Sequence, residues 1–347
     1  MSVRYLKACV YVFWSASMLL IFTCPSKTKL PVNNKHSRHN PSPMQVTFVR
    51  QKLLPNVPSG SGLEVIGNKV FIIGDDSLLL YQLQADTWEL IKTYPLLKTE
   101  HFATGRIPKP LKPDLECLAS FTFHNNTYLL AFGSGSTSGR TMGYLVQLAH
   151  SPEAPPVVQA ISLELLYQAL QADIAVTAGG TLNLEAAATS PDHLYLLQRS
   201  VNNGPDALLT FSLPEFMAYL QHLNSNLPHY TVARLQLPQI NNNKAGFSGA
   251  SFFDKKLFIT ASVENTIDAY LDGEVLGSFV GYIQINPNSE PTLYTARLTD
   301  KAGRFYLGKV ESISIVQKKD ANQYQALAIT DNDHGQSELL EFVLTLP

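Results

Sequence analysis

Five times along the chain a short run of small and apolar residues carries one acid or hydroxyl near its start. These residues are Ser61 (with Glu64 three positions on), Glu116, Glu185, Ser248 and Glu311. Each run is followed by further strand-like segments separated by turn residues. They lie at 69–76, 78–83 and 88–91 in the first unit, and at 128–133, 143–148 and 157–161 in the second. The third has 193–199, 207–211 and 231–235, and the fourth 256–261, 279–283 and 292–296. The fifth has 326–331 and 339–343 and then ends one strand short. Self-similarity at a period of roughly 60 residues predicts an architecture of repeated units rather than one irregular core.

The missing strand is at the other end of the chain, where 46–50 alternates as the outer strands do. Borrowing it closes a ring and removes open sheet edges. The expectation is therefore an all-β, five-bladed β-propeller closed by an N-terminal strand and occupying 46–347. Six blades is the alternative, and a two-sheet sandwich fails to explain the repeated polar opening. Residues 163–170 and 214–220 have helical spacing and are expected to form short rim helices. The stretch 241–244 (Asn-Asn-Asn-Lys) reads as a loop.

In a propeller the first strand of each blade lines the central channel, so the five polar residues form a ring. Three carboxylates meeting there repel one another, and an unpaired buried ion costs several kcal/mol. Ser61, Glu116, Glu185, Ser248 and Glu311 offer only oxygen ligands, which suit a hard cation; Ca²⁺ accepts six to eight. Capping of backbone amides at a solvated mouth is the other role open to these acids.

The second strands end in polar loops on the same face: Asp75-Asp76, Ser134 to Ser136, Arg199, Glu264, and Asp331 to His334. Aspartates there would position or activate water, which assigns Asp331 and Asp333 as candidate catalytic residues. Asp75, Asp76, Arg140, Arg199, Glu264 and His334 are the candidate substrate contacts, with the two arginines suited to an anion. Each loop taken singly also reads as an ordinary β-turn.

The termini and charge narrow the setting. Arg4 and Lys7 precede a sixteen-residue apolar run at 8–23, short of the roughly 20 a membrane span needs. Residues 1–30 thus read as a signal peptide or, with Cys24 acylated, a lipoprotein signal, and 31–45 as a flexible tether. The expected destination is the periplasm, the outer membrane or the medium. Any membrane contact would come through that lipid or an uncleaved signal. Of 26 Lys and Arg, four fall in the first thirty residues, leaving 22 against all 28 Asp and Glu in the body. This balance excludes a nucleic-acid partner and leaves a small anionic molecule or an envelope partner. Cys117 is alone in the folded part and is expected to be a buried thiol.

The order Ser61, Glu116, Glu185, Ser248, Glu311 resembles the axial Ca²⁺ series of the soluble, apyrase-type calcium-activated nucleotidases, which are five-bladed propellers. Ser61-Gly62-Leu63 with Asp75-Asp76, and Gly246-Phe247-Ser248, are similar to stretches of that family. Asp331-Asn332-Asp333 is similar to its Asp-Leu-Asp motif. The resemblance implies a bound Ca²⁺ and hydrolysis of phosphate esters or anhydrides. The chain departs from the family pattern after Asp333 and after Asp76, where the family carries Arg, and only Arg199 stands where it has an arginine pair. The chain also resembles a family of exported bacterial propellers with no activity to carry over and, more distantly, phytase-like propellers. A non-catalytic binding propeller for a peptide, glycan or protein is the second function to weigh.

Overall fold

The computed structural model describes residues 43–97, 106–151, 154–200, 206–222, 226–265, 273–286, 289–332 and 335–347. The expected leader and tether up to residue 42, with Cys24, lie outside them, as do Asp333 and His334. Among the described residues no helix is long and apolar enough to cross a membrane.

The chain is a five-bladed β-propeller. β1 (Gln45–Leu54) comes first and is used last. The first blade is β2 (Gly60–Ile66), β3 (Lys69–Gly74), β4 (Leu79–Gln84) and β5 (Leu90–Pro95). The second is β6 (Leu115–Phe123), β7 (Asn126–Gly133), β8 (Met142–Gln147) and β9 (Val157–Ser162). Helices α1 (Glu164–Ala172) and α2 (Ile174–Thr177) lead into the third: β10 (Leu184–Thr189), β11 (His193–Gln198), β12 (Asp206–Ser212) and, after α3 (Leu213–Leu220), β13 (Tyr230–Leu235). A small hairpin, β14 (Gln239–Ile240) and β15 (Asn243–Lys244), precedes the fourth: β16 (Gly246–Phe253), β17 (Lys256–Asn265), β18 (Glu274–Asn286) and β19 (Ser289–Arg297). The fifth is β20 (Lys309–Asp320), β21 (Gln323–Asp331), β22 (Ser337–Thr345) and β1, which pairs antiparallel with β22 and closes the ring.

The burial pattern follows from this geometry. Middle strands have a neighbouring blade on each face, so they read as continuous apolar runs; outer strands face solvent and alternate. In β3, Val70 and Ile72 pack toward the fifth blade with Leu327 and Ile329. Phe71 and Ile73 pack toward the second with Leu118 and Leu129. The outer β5 and β9 are mostly exposed. α1 and α3 bury Leu166, Tyr167, Leu170, Phe216 and Met217 in the cluster between the second and third blades, so they extend the core rather than only decorate the rim. The 241–244 stretch, expected as a loop, forms the tip and return strand of the β14–β15 hairpin. Asn241 and Asn242 both take positive φ (50° and 64°), as a two-residue primed turn requires.

Near the axis the blades crowd, and small residues and hydroxyls join them. Ser312 and Ser314 on β20 accept the backbone N–H of Leu63 and Val65 on β2, each at 3.1 Å, and Ser251 on β16 accepts that of Ile315 at 3.1 Å. These hydroxyls satisfy amides on the innermost strand edges, which have no further strand to pair with. A Cβ on Gly249 would lie 2.5 Å from Ser312 Cα and 3.0 Å from Ile313 N, both backbone. Gly249→Ala therefore forces the fourth and fifth blades apart and should cost about 1–3 kcal/mol, read as a lower denaturant midpoint.

Candidate axial site

The five predicted axial residues occupy one repeated structural feature. In the first blade Gly60 faces Gly74 and Gly62 faces Ile73, leaving Ser61 as the extra residue of a β-bulge. The same slip leaves Glu116 between Leu115 and Cys117, and Glu185 between Leu184 and Ala186. It leaves Ser248 between Phe247 and Gly249, and Glu311 between Val310 and Ser312. A bulge re-aims one side chain out of the alternating pattern, which is how an apolar strand presents a single polar group. The two serines bind the neighbouring blade. Ser61 donates to the carbonyl of Leu115, and Ser248 donates to that of Val310 at 2.6 Å. Both carbonyls immediately precede the next blade's bulged glutamate.

Around the glutamates lies a charge network that the sequence showed only in part. Lys112 pairs with Asp75 and, at 2.7 Å, with Asp114; Arg140 reaches Asp114 at 2.6 Å and Ser136 at 2.8 Å. Across the mouth, Arg199 lies 3.0 Å from Glu264 and 3.6 Å from Glu185, which also accepts from Asn183 at 2.6 Å. Lys309 is 3.0 Å from Glu311 and 3.5 Å from Glu264. Flanking pairs are Arg106 with Asp76 at 2.6 Å and Lys244 with Asp206 at 2.6 Å. Asp331 faces Lys309 in the β20–β21 register and interacts electrostatically with Arg106.

Among the described residues the central network holds six carboxyls (Asp75, Asp114, Glu116, Glu185, Glu264, Glu311) and four cations (Lys112, Arg140, Arg199, Lys309), a formal excess of two acids before any of them takes up a proton. The acids respond unequally. Burial pushes Glu264 up, but Arg199 and Lys309 outweigh it and hold the carboxyl down at about 2. Burial likewise opposes the ionised form of Asp114, yet Lys112 and Arg140 bring it below its usual range. Burial raises Glu311 to about 8 despite Lys309, with Glu185 adding repulsion. Glu185 is raised by burial against Arg199 and Lys309. Glu116 is raised well above its usual range by burial, then by Asp114, Glu185 and Asp75.

These are donors of the kind a hard cation takes, with the Lys112 ammonium now joining Asp75 and Asp114. Oxygens of Asp75, Asp114 and Glu116 lie within 4.8 Å of one another. Two ligands about 2.3–2.6 Å from one Ca²⁺ can stand roughly 4.6–5.2 Å apart at most, so those three carboxylates can share an ion. Asp75 Oδ1 is buried without a hydrogen-bond partner, which leaves a ligand position open. Glu116 is common to this group and to the five-bulge ring.

Of the expected substrate contacts, Asp75, Asp76, Arg140, Arg199 and Glu264 all stand at the mouth, each in an ion pair with another protein residue. Lys112, Asp114, Lys309 and Arg106 were not among the expected site residues. Asp114 and Lys309 stand two residues before a bulge, as do Ser59, Asn183 and Gly246, and that offset was a readable signal. Gly246 is small for a reason: a Cβ there would meet Arg199 Nε at 2.5 Å. Glu64 points elsewhere. Its carboxyl accepts the N–H and hydroxyl of Ser120 at 3.2 and 3.1 Å, joining the first blade to the second. Cys117 is a buried free thiol.

Known structures share the general shape at low identity. A Myxococcus xanthus glutaminyl cyclase aligns over 87% of this chain and 97% of its own, at 10% identity and a TM-score of 0.46. An exo-1,5-α-L-arabinanase from a bovine ruminal metagenomic library aligns over 82% and 92%, at 11% and 0.44. A Cellvibrio cellulosa α-L-arabinanase aligns over 86% and 91%, at 11% and 0.42. Likeness at this level says nothing of chemistry. No curated protein matches the chain. Residues 56–344, from the loop before the first blade almost to the end of β22, match the family described as "Family of unknown function (DUF6929)", and the chain belongs to that family.

Proposed function

We propose that the protein is an exported, cation-centred binding propeller, with a hard divalent ion, Ca²⁺ by its ligand chemistry, held at the mouth of the channel. The observation that carries this reading is the convergence of Glu116, Asp75 and Asp114, whose carboxylate oxygens lie within 4.8 Å of one another. Glu116, Asp75 and Asp114 would hold the ion, with Glu185, Glu311 and the hydroxyls of Ser61 and Ser248 as the remaining axial oxygens. An ion there would favour the ionised forms of the acids that burial now holds back, and would tie the blades together. Reading residues 1–30 as an export or lipoprotein signal places the site outside the cytoplasm, where modules of this kind work with dissociation constants of about 10⁻⁴–10⁻³ M. The face around the ion would then receive an envelope partner or a small anionic molecule.

Hydrolysis of phosphate esters or anhydrides, with Asp331 and Asp333 handling water, is the second reading. Asp331 favours it, since it sits at the mouth beside Arg106. Binding is favoured over it because Arg140 and Arg199, the cations best suited to grip a phosphate, are taken up by Asp114 and by Glu185 and Glu264. Thermal melts with Ca²⁺ and with EDTA, alongside a panel of nucleotides and phosphomonoesters, test both. Ca²⁺ at about 100 times its dissociation constant should stabilise the fold by about 2.7 kcal/mol, with no phosphate released. Identical melts would sink the cation reading, and Ca²⁺-dependent phosphate release would establish the hydrolase.

A further inference from the structure

The face away from the mouth carries a cluster of lysines on two neighbouring blades. β16 and β20 have their bulges at the start, so the turns at their far ends lie on that face. The β16–β17 turn has Asp254 and Lys255 at its tip and Lys256 just beyond, and Lys318 and Lys319 lead into the β20–β21 turn. Lys318 Nζ reaches Asp254 at 2.7 Å, and the Tyr324 hydroxyl donates to the same carboxylate at 2.6 Å, so the two turns are fixed side by side. The last four residues of β20, Gln317 to Asp320, are all exposed. Asp254 and Asp320 are the acids of these turns; the first is engaged as described, and the second accepts the N–H of Ala321 at 2.7 Å. Lys255 and Lys319 are exposed and make no ion pair among the described residues.

The chain enters the fold at this same edge. In the fifth blade Gln45 stands opposite Thr345, Thr345 opposite Gln323, and Gln323 opposite Asp320. Three strand spacings of about 4.8 Å put Gln45 roughly 14 Å from the lysine hairpin. The sequence before it, 1–44, contains Arg4, Lys7, Lys27, Lys29, Lys35 and Arg38 and no acid. The body as a whole has more acids than cations, so the lysines here are a local concentration. A surface of anionic lipid favours each Lys or Arg beside it by about fivefold. One acyl chain alone gives only marginal attachment, and a basic patch is the usual second contact.

We infer that Lys255, Lys256, Lys318 and Lys319 dock this face on an anionic phospholipid surface, so that the mouth faces away from the membrane. The patch shares no residue with the axial network, so the two readings stand or fall separately. The test is co-sedimentation of the full chain, in EDTA, with phosphatidylcholine vesicles and with vesicles containing about one-third phosphatidylglycerol. Binding to the anionic vesicles should be at least tenfold tighter, and molar salt should erase most of that preference. Lys255→Asn with Lys319→Gln should cut the preference at least fivefold at an unchanged melting temperature; Asn tolerates the positive φ of 61° at position 255. Lys109→Gln with Lys301→Gln, an equal loss of charge from exposed joints on the mouth side, should leave it unchanged. Equal binding to both vesicles overturns the proposal, as does a preference that survives molar salt. It is overturned too if Lys255→Asn with Lys319→Gln has no effect, or if Lys109→Gln with Lys301→Gln has as large a one.

Discussion

Replacing Arg199 with methionine should destabilise the protein by about 3–5 kcal/mol, the loss expected when one member of a buried ion cluster is removed and its partners stay behind. The guanidinium lies between Glu264 at 3.0 Å and Glu185 at 3.6 Å, in space that Gly246 leaves open. Without it the formal excess of acids over cations in the central network rises from two to three, and Glu264 loses the partner that contributes most to its low pKa. Three further results follow from the same charge balance. Glu264→Gln in the Arg199→Met background should recover part of the loss, so the two substitutions are non-additive. Ca²⁺ should stabilise Arg199→Met more than it stabilises the wild type. Gly246→Ala should mimic Arg199→Met in weaker form, by displacing the side chain rather than deleting it. Chemical denaturation measures all three, and an Arg199→Met loss below about 1 kcal/mol would mean the cluster is already neutralised by protons.

The second large effect concerns pH and the inner strands. Burial raises Glu64 from 4.5 to about 8, against hydrogen bonds from Ser120 and Ser314 that favour the ionised form. The folded state therefore binds a proton that the unfolded chain releases between about pH 4.5 and 8. Stability from this group is complete below pH 4.5 and lost as pH rises through 8. At 1.36 kcal/mol per unit the ceiling is about 5 kcal/mol. Melting temperature should fall from pH 5 to pH 8 in EDTA, and Glu64→Gln, which keeps the shape without the charge, should flatten that slope and melt higher than wild type at pH 8. If Glu64→Gln leaves the slope unchanged, the carboxyl is not the neutral group that its burial requires.

Much of this was readable from residue order. A polar residue near the start of a small, apolar strand marked each bulge, and the alternation at 46–50 marked the closing strand. The choice between Ser61 and Glu64 shows the limit. Both lie in β2, and only the register slip between Gly60 and Gly62 assigns Ser61 to the ring and Glu64 to the blade junction. The partners of the acids were harder to see. Lys112, Arg106 and Lys309 sit in or beside turn-rich joints, where a lone cation reads as solvated surface. Their pairing with Asp75, Asp76 and Glu264 depends on where separate joints meet in space. The helical spacing of 163–170 and 214–220 was visible, but the amount of core they cover depends on the gap between two blades.

The central claim is that Glu116 and its neighbours hold a hard divalent ion. It is tested most directly by isothermal titration of the EDTA-stripped protein with Ca²⁺, backed by elemental analysis of the untreated protein. One ion per chain should bind to the wild type, and Glu116→Gln should abolish or weaken that binding at least tenfold while the protein remains folded. A wild type that takes up no divalent ion, or a Glu116→Gln variant that binds as the wild type does, would contradict it.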